Sequence, residues 1–152
     1  MQVTPLALET DMYFKPLLIP LLAQVALTFI VMLIMYRKRV AEMQLKRIHP
    51  QRVKTRSIAH GVLVDSESSA NNYLNLFESP VLFYVAILLT LILMVQDTIL
   101  VILAWTYVTS RYIHSFIHVT YNRVMHRFSV FIFSIFVLMA IWVRLGWVIL
   151  QS

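Results

Sequence analysis

The chain contains no cysteine. Disulfides, thiolate-bound metals and a cysteine nucleophile are therefore excluded. Charge is also scarce: Asp, Glu, Lys and Arg together make up 13% of the 152 residues. No internal repeat and no low-complexity linker breaks the chain. What fills it is apolar, 60% of the residues, and these gather in blocks of about 20 rather than alternating with polar ones. A soluble domain of this length cannot cover that much apolar surface. The expectation is an all-α membrane protein, one domain over residues 1–152, folded as an antiparallel bundle of four transmembrane helices. The net charge of +6 is assigned to membrane orientation and not to nucleic acid, because basic residues flanking spans set the direction of insertion.

Four spans are expected, at about 16–36, 70–95, 98–121 and 128–150. At ~1.5 Å per residue each is long enough for a ~30 Å hydrocarbon core. The first is expected to be a retained span and not a cleaved signal. Glu9 and Asp11 precede it where a signal would be basic, and Arg37, Lys38 and Arg39 follow it. Residues 37–68 form a basic loop. Val40, Met43 and Ile48 keep helical spacing, so the first helix should run on as a stem until Pro50. Residues 51–68 read as irregular, and the polar run from Asp65 to Ser69 should cap the second helix. Gln96 and Asp97 make a tight turn, with Asp97 capping the third helix, and so short a connection makes the second and third helices antiparallel neighbours. Arg123 and Arg127 add a second basic connection. The positive-inside rule then places both termini outside and both basic loops in the cytoplasm.

One stretch violates the apolar pattern. In YVTSRYIHSFIHVTYN, residues Tyr107, Arg111, His114, His118 and Asn122 fall within an arc of roughly 80° on a helix. Asn71, Asn75 and Glu78 share an arc of about 60° on the preceding helix. Glu78 and Arg111 should lie at similar depth, ~14 and ~16 Å from the same face of the membrane. An intramembrane charge costs at least ~2.5 kcal/mol on insertion scales, so it must face a partner or a cavity. Two alternatives stay open: a structural Glu78–Arg111 ion pair, or a polar pocket open to the cytoplasmic leaflet. His114 and His118 are four residues apart, a spacing able to hold a metal or haem, but HSFIH carries Ser115 where the zinc-protease pattern needs an acid. No metal site is expected. Arg144 should snorkel to the outer interface or pair with Asp97.

These residues resemble the MAPEG superfamily, the membrane-associated proteins of eicosanoid and glutathione metabolism. The resemblance rests on four spans, a basic first loop, a tight second turn and two motifs, NLFESP (Asn75 to Pro80) and RYIHSFIH (Arg111 to His118). Histidine at 114 and 118, where eukaryotic members often have tyrosine, is similar to bacterial members and implies a bacterial inner membrane. The resemblance implies a homotrimer with glutathione as co-substrate at each subunit interface. Asn75 and Glu78 would contact the peptide and its amine, and Arg111 a carboxylate, while His114 and His118 would line the site. Arg111 and Arg127 are the candidate catalytic cations for stabilising a thiolate. Asn71 stands where many glutathione-using members have arginine, and Arg127 does not keep the spacing of the arginine used by the leukotriene synthase. The function implied is a glutathione transferase or peroxidase acting on a lipophilic small molecule. The alternative is a non-catalytic subunit of the same fold, binding lipid or serving a larger membrane complex.

Overall fold

A computed structural model describes the backbone from Pro5 to Gln151 and the side chains from Lys15 onward. Expectations resting on Glu9 and Asp11 lie outside the described side chains. The described residues are helical and contain no strand. The helices are α1 (Pro5–Leu45), α2 (Arg56–Val62), α3 (Glu67–Asn75), α4 (Ser79–Ile92), α5 (Thr98–Val119) and α6 (Val124–Gln151). Three stretches are long and apolar enough to cross a membrane: Lys15–Leu45, Glu67–Ile92 and Val124–Gln151. The chain is an integral membrane protein. With 22 residues, α5 spans ~33 Å. Its polar second half keeps it out of the apolar set.

The helix ends follow local chemistry. α1 runs through Pro16 and Pro20 and stops before the expected Pro50. It closes at Leu45, where Arg47 turns left-handed (φ 51°) and Ile48 N–H bonds back to Met43 C=O at 2.8 Å. That six-residue closure satisfies carbonyls the helix leaves free. The loop expected to be irregular instead contains a 3-10 turn, Pro50–Val53, and the short α2. Thr55 starts α2, its hydroxyl accepting from Ile58 N–H. A helix of seven residues carries too little periodicity to stand out from sequence.

The cap of α3 also differs from expectation. Ser66 occupies the cap position but makes no capping bond through its side chain. The carboxylate of Glu42, reaching over from α1, accepts from Asp65 N–H (3.0 Å) and Ser66 N–H (2.8 Å). Lys46 completes the knot, with Nζ at 2.6 Å from Glu42 and 2.9 Å from Asp65. Burial pushes the Glu42 carboxyl up, but the donors from Lys46, Ser66 and Asp65 outweigh it and hold the group at about 2. At the far end Asp97 caps α5 as expected, accepting from Leu100 N–H at 2.9 Å.

The expected second span, residues 70–95, is not continuous. α3 ends at Asn75, residues 76–78 form a turn, and α4 begins at Ser79. Pro80 explains the break: it has no N–H for the carbonyl one turn back, so it suits the first turn of a new helix and not the interior of a continuing one. α5 packs along α6 and against α1, α3 sits against α1 and α5, and α4 against α1 and α6. The apolar core gathers Phe83, Ile87, Leu100, Ala104, Ile141 and Leu145 toward the Asp97 end. The polar side chains of α5 lie toward the basic end.

Candidate functional site

Four of the five stripe residues, Tyr107, Arg111, His114 and His118, are buried. Asn122 is not part of the stripe. It lies past the end of α5 in an exposed turn, with left-handed backbone (φ 46°), and accepts from Arg127 Nη1 at 2.7 Å. Tyr107 stacks on Phe83, ring centroids 4.7 Å apart, and its hydroxyl donates to Ser79 Oγ. This contact fastens α5 to the first turn of α4.

Arg111 is 0% exposed. The expected direct ion pair of a buried Glu78 with Arg111 does not form, although Glu78 stays near enough for its charge to act on Arg111. Glu78 lies in the break between α3 and α4, is exposed, and makes no ion pair among the described residues. The Pro80 break turns it off the face that an unbroken helix would have shared with Asn71 and Asn75. Arg111 instead donates through Nη2 to the Asn75 carbonyl at 3.2 Å and stands over the Phe131 ring, 5.6 Å from its centroid. Its Nε and Nη1 are buried without a hydrogen-bond partner. Leaving such donors unsatisfied costs a few kcal/mol, so the arrangement calls for an acceptor.

The histidines are locally oriented. His114 Nδ1 lies 3.1 Å from the Arg127 carbonyl. A carbonyl only accepts, so Nδ1 carries the proton and Nε2 keeps a lone pair. That Nε2 is buried and unpartnered. Ser68 donates its hydroxyl proton to the His118 carbonyl at 2.7 Å, so its oxygen accepts from His118 Nδ1 at 3.0 Å. The two imidazoles meet edge to face, centroids 5.6 Å apart.

A cavity of about 180 Å³ joins this region to the surface, lined by Asn75, His114, Val124, Arg127, Phe128 and Phe131. Three sequence-expected site residues, Asn75, His114 and Arg127, thus line one pocket, and Arg111 touches two of its walls. Asn71 is exposed on another face. Sequence reasoning missed Asn72, which is fully buried, accepts from Ser115 Oγ at 3.2 Å, and leaves its Nδ2 without a partner. The inward spacing of Ser69, Asn72 and Leu76 was the available signal. A larger cavity of about 680 Å³, lined by Ile102, Trp105, Thr109, Ile113 and Phe133 among others, is carried by the opposite face of α5 and does not join the polar pocket. No group of three His, Asp or Glu residues able to hold a metal occurs among the described residues.

The model of the MAPEG family matches residues 17–147. The chain belongs to the MAPEG family. No curated protein and no solved structure matches it. The family match takes in both motifs and all the residues of α3, α5 and α6 that line the pocket.

Proposed function

We propose that this MAPEG protein is a glutathione-dependent transferase or peroxidase acting on a lipophilic electrophile in the membrane. It works as a homotrimer of four-helix bundles, with α5 as the third of four spans and the basic loops in the cytoplasm. The observation that carries this is Arg111, wholly buried with two idle N–H donors, beside a pocket that also holds His114, Asn75 and Arg127.

The residues fit glutathione in part. Idle guanidinium donors suit a carboxylate or a thiolate, because charge-assisted bonds are the strong ones. The pocket's 180 Å³ falls below the roughly 300 Å³ at which small-molecule sites begin, so one chain holds one end of a tripeptide. Glu78, turned to the outer surface, suits the ammonium end where a second copy meets it. That division supports a site shared between subunits. Glutathione supplies the thiol nucleophile. Arg111 and Arg127 favour its ionised form, since a nearby cation lowers a thiol's pKa. His114 Nε2 is an acceptor for the thiol proton, held in the required tautomer by the Arg127 carbonyl.

The test is glutathione titrated into detergent-purified protein, read by calorimetry and by the ultraviolet absorbance of the thiolate. Binding with a thiolate signal, abolished by Arg111→Ala, is expected. A second reading, a non-catalytic subunit that binds lipid or serves a membrane complex, is favoured by the neutral, outward-facing Asn71. Saturating glutathione with neither heat nor thiolate signal in folded oligomers would establish that reading instead.

A further inference from the structure

A separate cavity of about 290 Å³ opens on the basic face of the molecule. The stem of α1 forms one wall with Met35 and Arg39, the segment from Val53 to Leu63 a second, and α3 from Glu67 to Leu74 a third. Its depth is apolar: Ala59 and Leu63 are buried, and Leu74 lies beside them. Its rim is cationic, with Arg39, Lys54 and Arg56. None of these three forms an ion pair among the described residues. The one acid in the lining, Glu67, is engaged by His60 at 3.0 Å.

Its height in the fold is set by Lys38, whose ammonium donates to the carbonyl of Val119, the last residue of α5. Arg39 therefore stands where the apolar helices end and the basic loop begins. Beside the cavity, Ile58 and Val64 remain 45% and 60% exposed. A bilayer surface covers such side chains, and water does not.

We propose that this cavity seats the headgroup of an anionic phospholipid from the leaflet on the basic side. Arg39, Lys54 and Arg56 hold the phosphate, and the apolar depth takes the glycerol backbone and first acyl carbons. Basic pockets at the cytoplasmic end of membrane helices have the shape and charge such headgroups need. Arginine forks suit phosphate oxygens particularly well. The feature that separates this from the diffuse attraction of any basic loop is the enclosure. Three unpaired cations converge on one cavity with an apolar base, so binding is stoichiometric and localised. The lipid site shares α3 with the glutathione pocket but none of its lining residues.

Native mass spectrometry of the detergent-purified full chain tests it, with phosphatidylglycerol and phosphatidylcholine as probes. The wild type should retain one phosphatidylglycerol per subunit in preference to phosphatidylcholine. At about fivefold per cation, the Arg39→Gln/Lys54→Gln/Arg56→Gln variant should lose on the order of 100-fold in apparent affinity. A control carrying Arg37→Gln, Arg47→Gln and Arg52→Gln removes the same charge from the same loop outside the cavity, and should keep the preference. Equal retention of the two lipids by the wild type overturns the proposal whatever the variants do. An equal loss in the control overturns it in favour of diffuse attraction. Displacement of the lipid by equimolar glycerol phosphate overturns it in favour of a soluble phosphate ligand.

Discussion

Arg144 and Arg111 both sit on long apolar helices of this protein, and their surroundings differ sharply. Arg144 on α6 donates Nε (3.0 Å) and Nη2 (2.7 Å) to Asp97 Oδ2. Asp97 in turn caps α5 through Leu100 N–H. Burial pushes the Asp97 carboxyl up, but Arg144 and the backbone donors outweigh it and hold it below the usual carboxylate range. Every charge in that cluster is answered from within the chain. Arg111 on α5 is more deeply buried, yet it has one hydrogen bond, to a carbonyl, and two donors without partners. A buried charge that the chain itself satisfies holds the fold together. One that it leaves open is a place for something else to bind.

The strongest way to break this contrast is to neutralise each arginine in turn. Arg111→Gln should weaken glutathione at least about 100-fold, the loss expected when a buried charged contact is removed. Its thermal midpoint in detergent should stay the same or rise, because an unpaired buried charge is costly to keep. Arg144→Gln should do the reverse, destabilising by about 1–3 kcal/mol, since it strands Asp97. Its glutathione affinity should be unchanged. A cycle with Asp97→Asn should recover most of that energy as coupling. If Arg111→Gln unfolds the protein while Arg144→Gln does not, the roles assigned to the two arginines are reversed.

A smaller effect is expected from Glu42, the satisfied anion of the basic end. Glu42→Gln should cost about 1–2 kcal/mol by weakening the cap on α3. The sign of its pH dependence follows from its carboxyl lying at about 2 against an ordinary 4.5. A depressed acid stabilises the fold fully above its ordinary value. That stabilisation is lost as pH falls from 4.5 towards 2. Thermal midpoints of wild type and Glu42→Gln, separated at pH 7, should therefore converge across that window. Parallel curves would mean that the carboxylate's charge does not matter to the cap.

Much of this arrangement was legible before any coordinates. The all-helical membrane class followed from composition, and the polar face of α5 from the 3.6-residue period. Asp97 as a cap followed from a two-residue turn, and its pairing with Arg144 was one of two outcomes that the depth of Arg144 left open. Glu78 was misplaced for a definite reason: facing positions were counted along an unbroken helix, and Pro80 breaks that helix one turn too early for the count to hold. Glu42 could not be found, because its capping bonds join residues more than twenty positions apart. Asn72 was overlooked beside Asn71, since one residue on a helix rotates the side chain by about 100° and so decides which asparagine faces inward. Local periodicity reports faces. It does not report contacts made across the chain or where a turn resets the phase.

The smallest expected effect sharpens the contrast most, because it lies between the two arginine types. Ser68 orients His118 through two bonds, one from its hydroxyl to the carbonyl and one received from Nδ1, but it does not line the pocket beside Arg111. If His118 takes part in the site only through its orientation, Ser68→Ala should weaken glutathione about threefold, the equivalent of one modest hydrogen bond. Thermal stability should shift by less than about 1 kcal/mol. Ser68→Thr keeps the hydroxyl and should restore affinity. A change in stability without a change in affinity would class Ser68 and His118 with Arg144, as structure. A change in affinity rescued by threonine would class them with Arg111, and would extend the site from the open guanidinium to the start of α3.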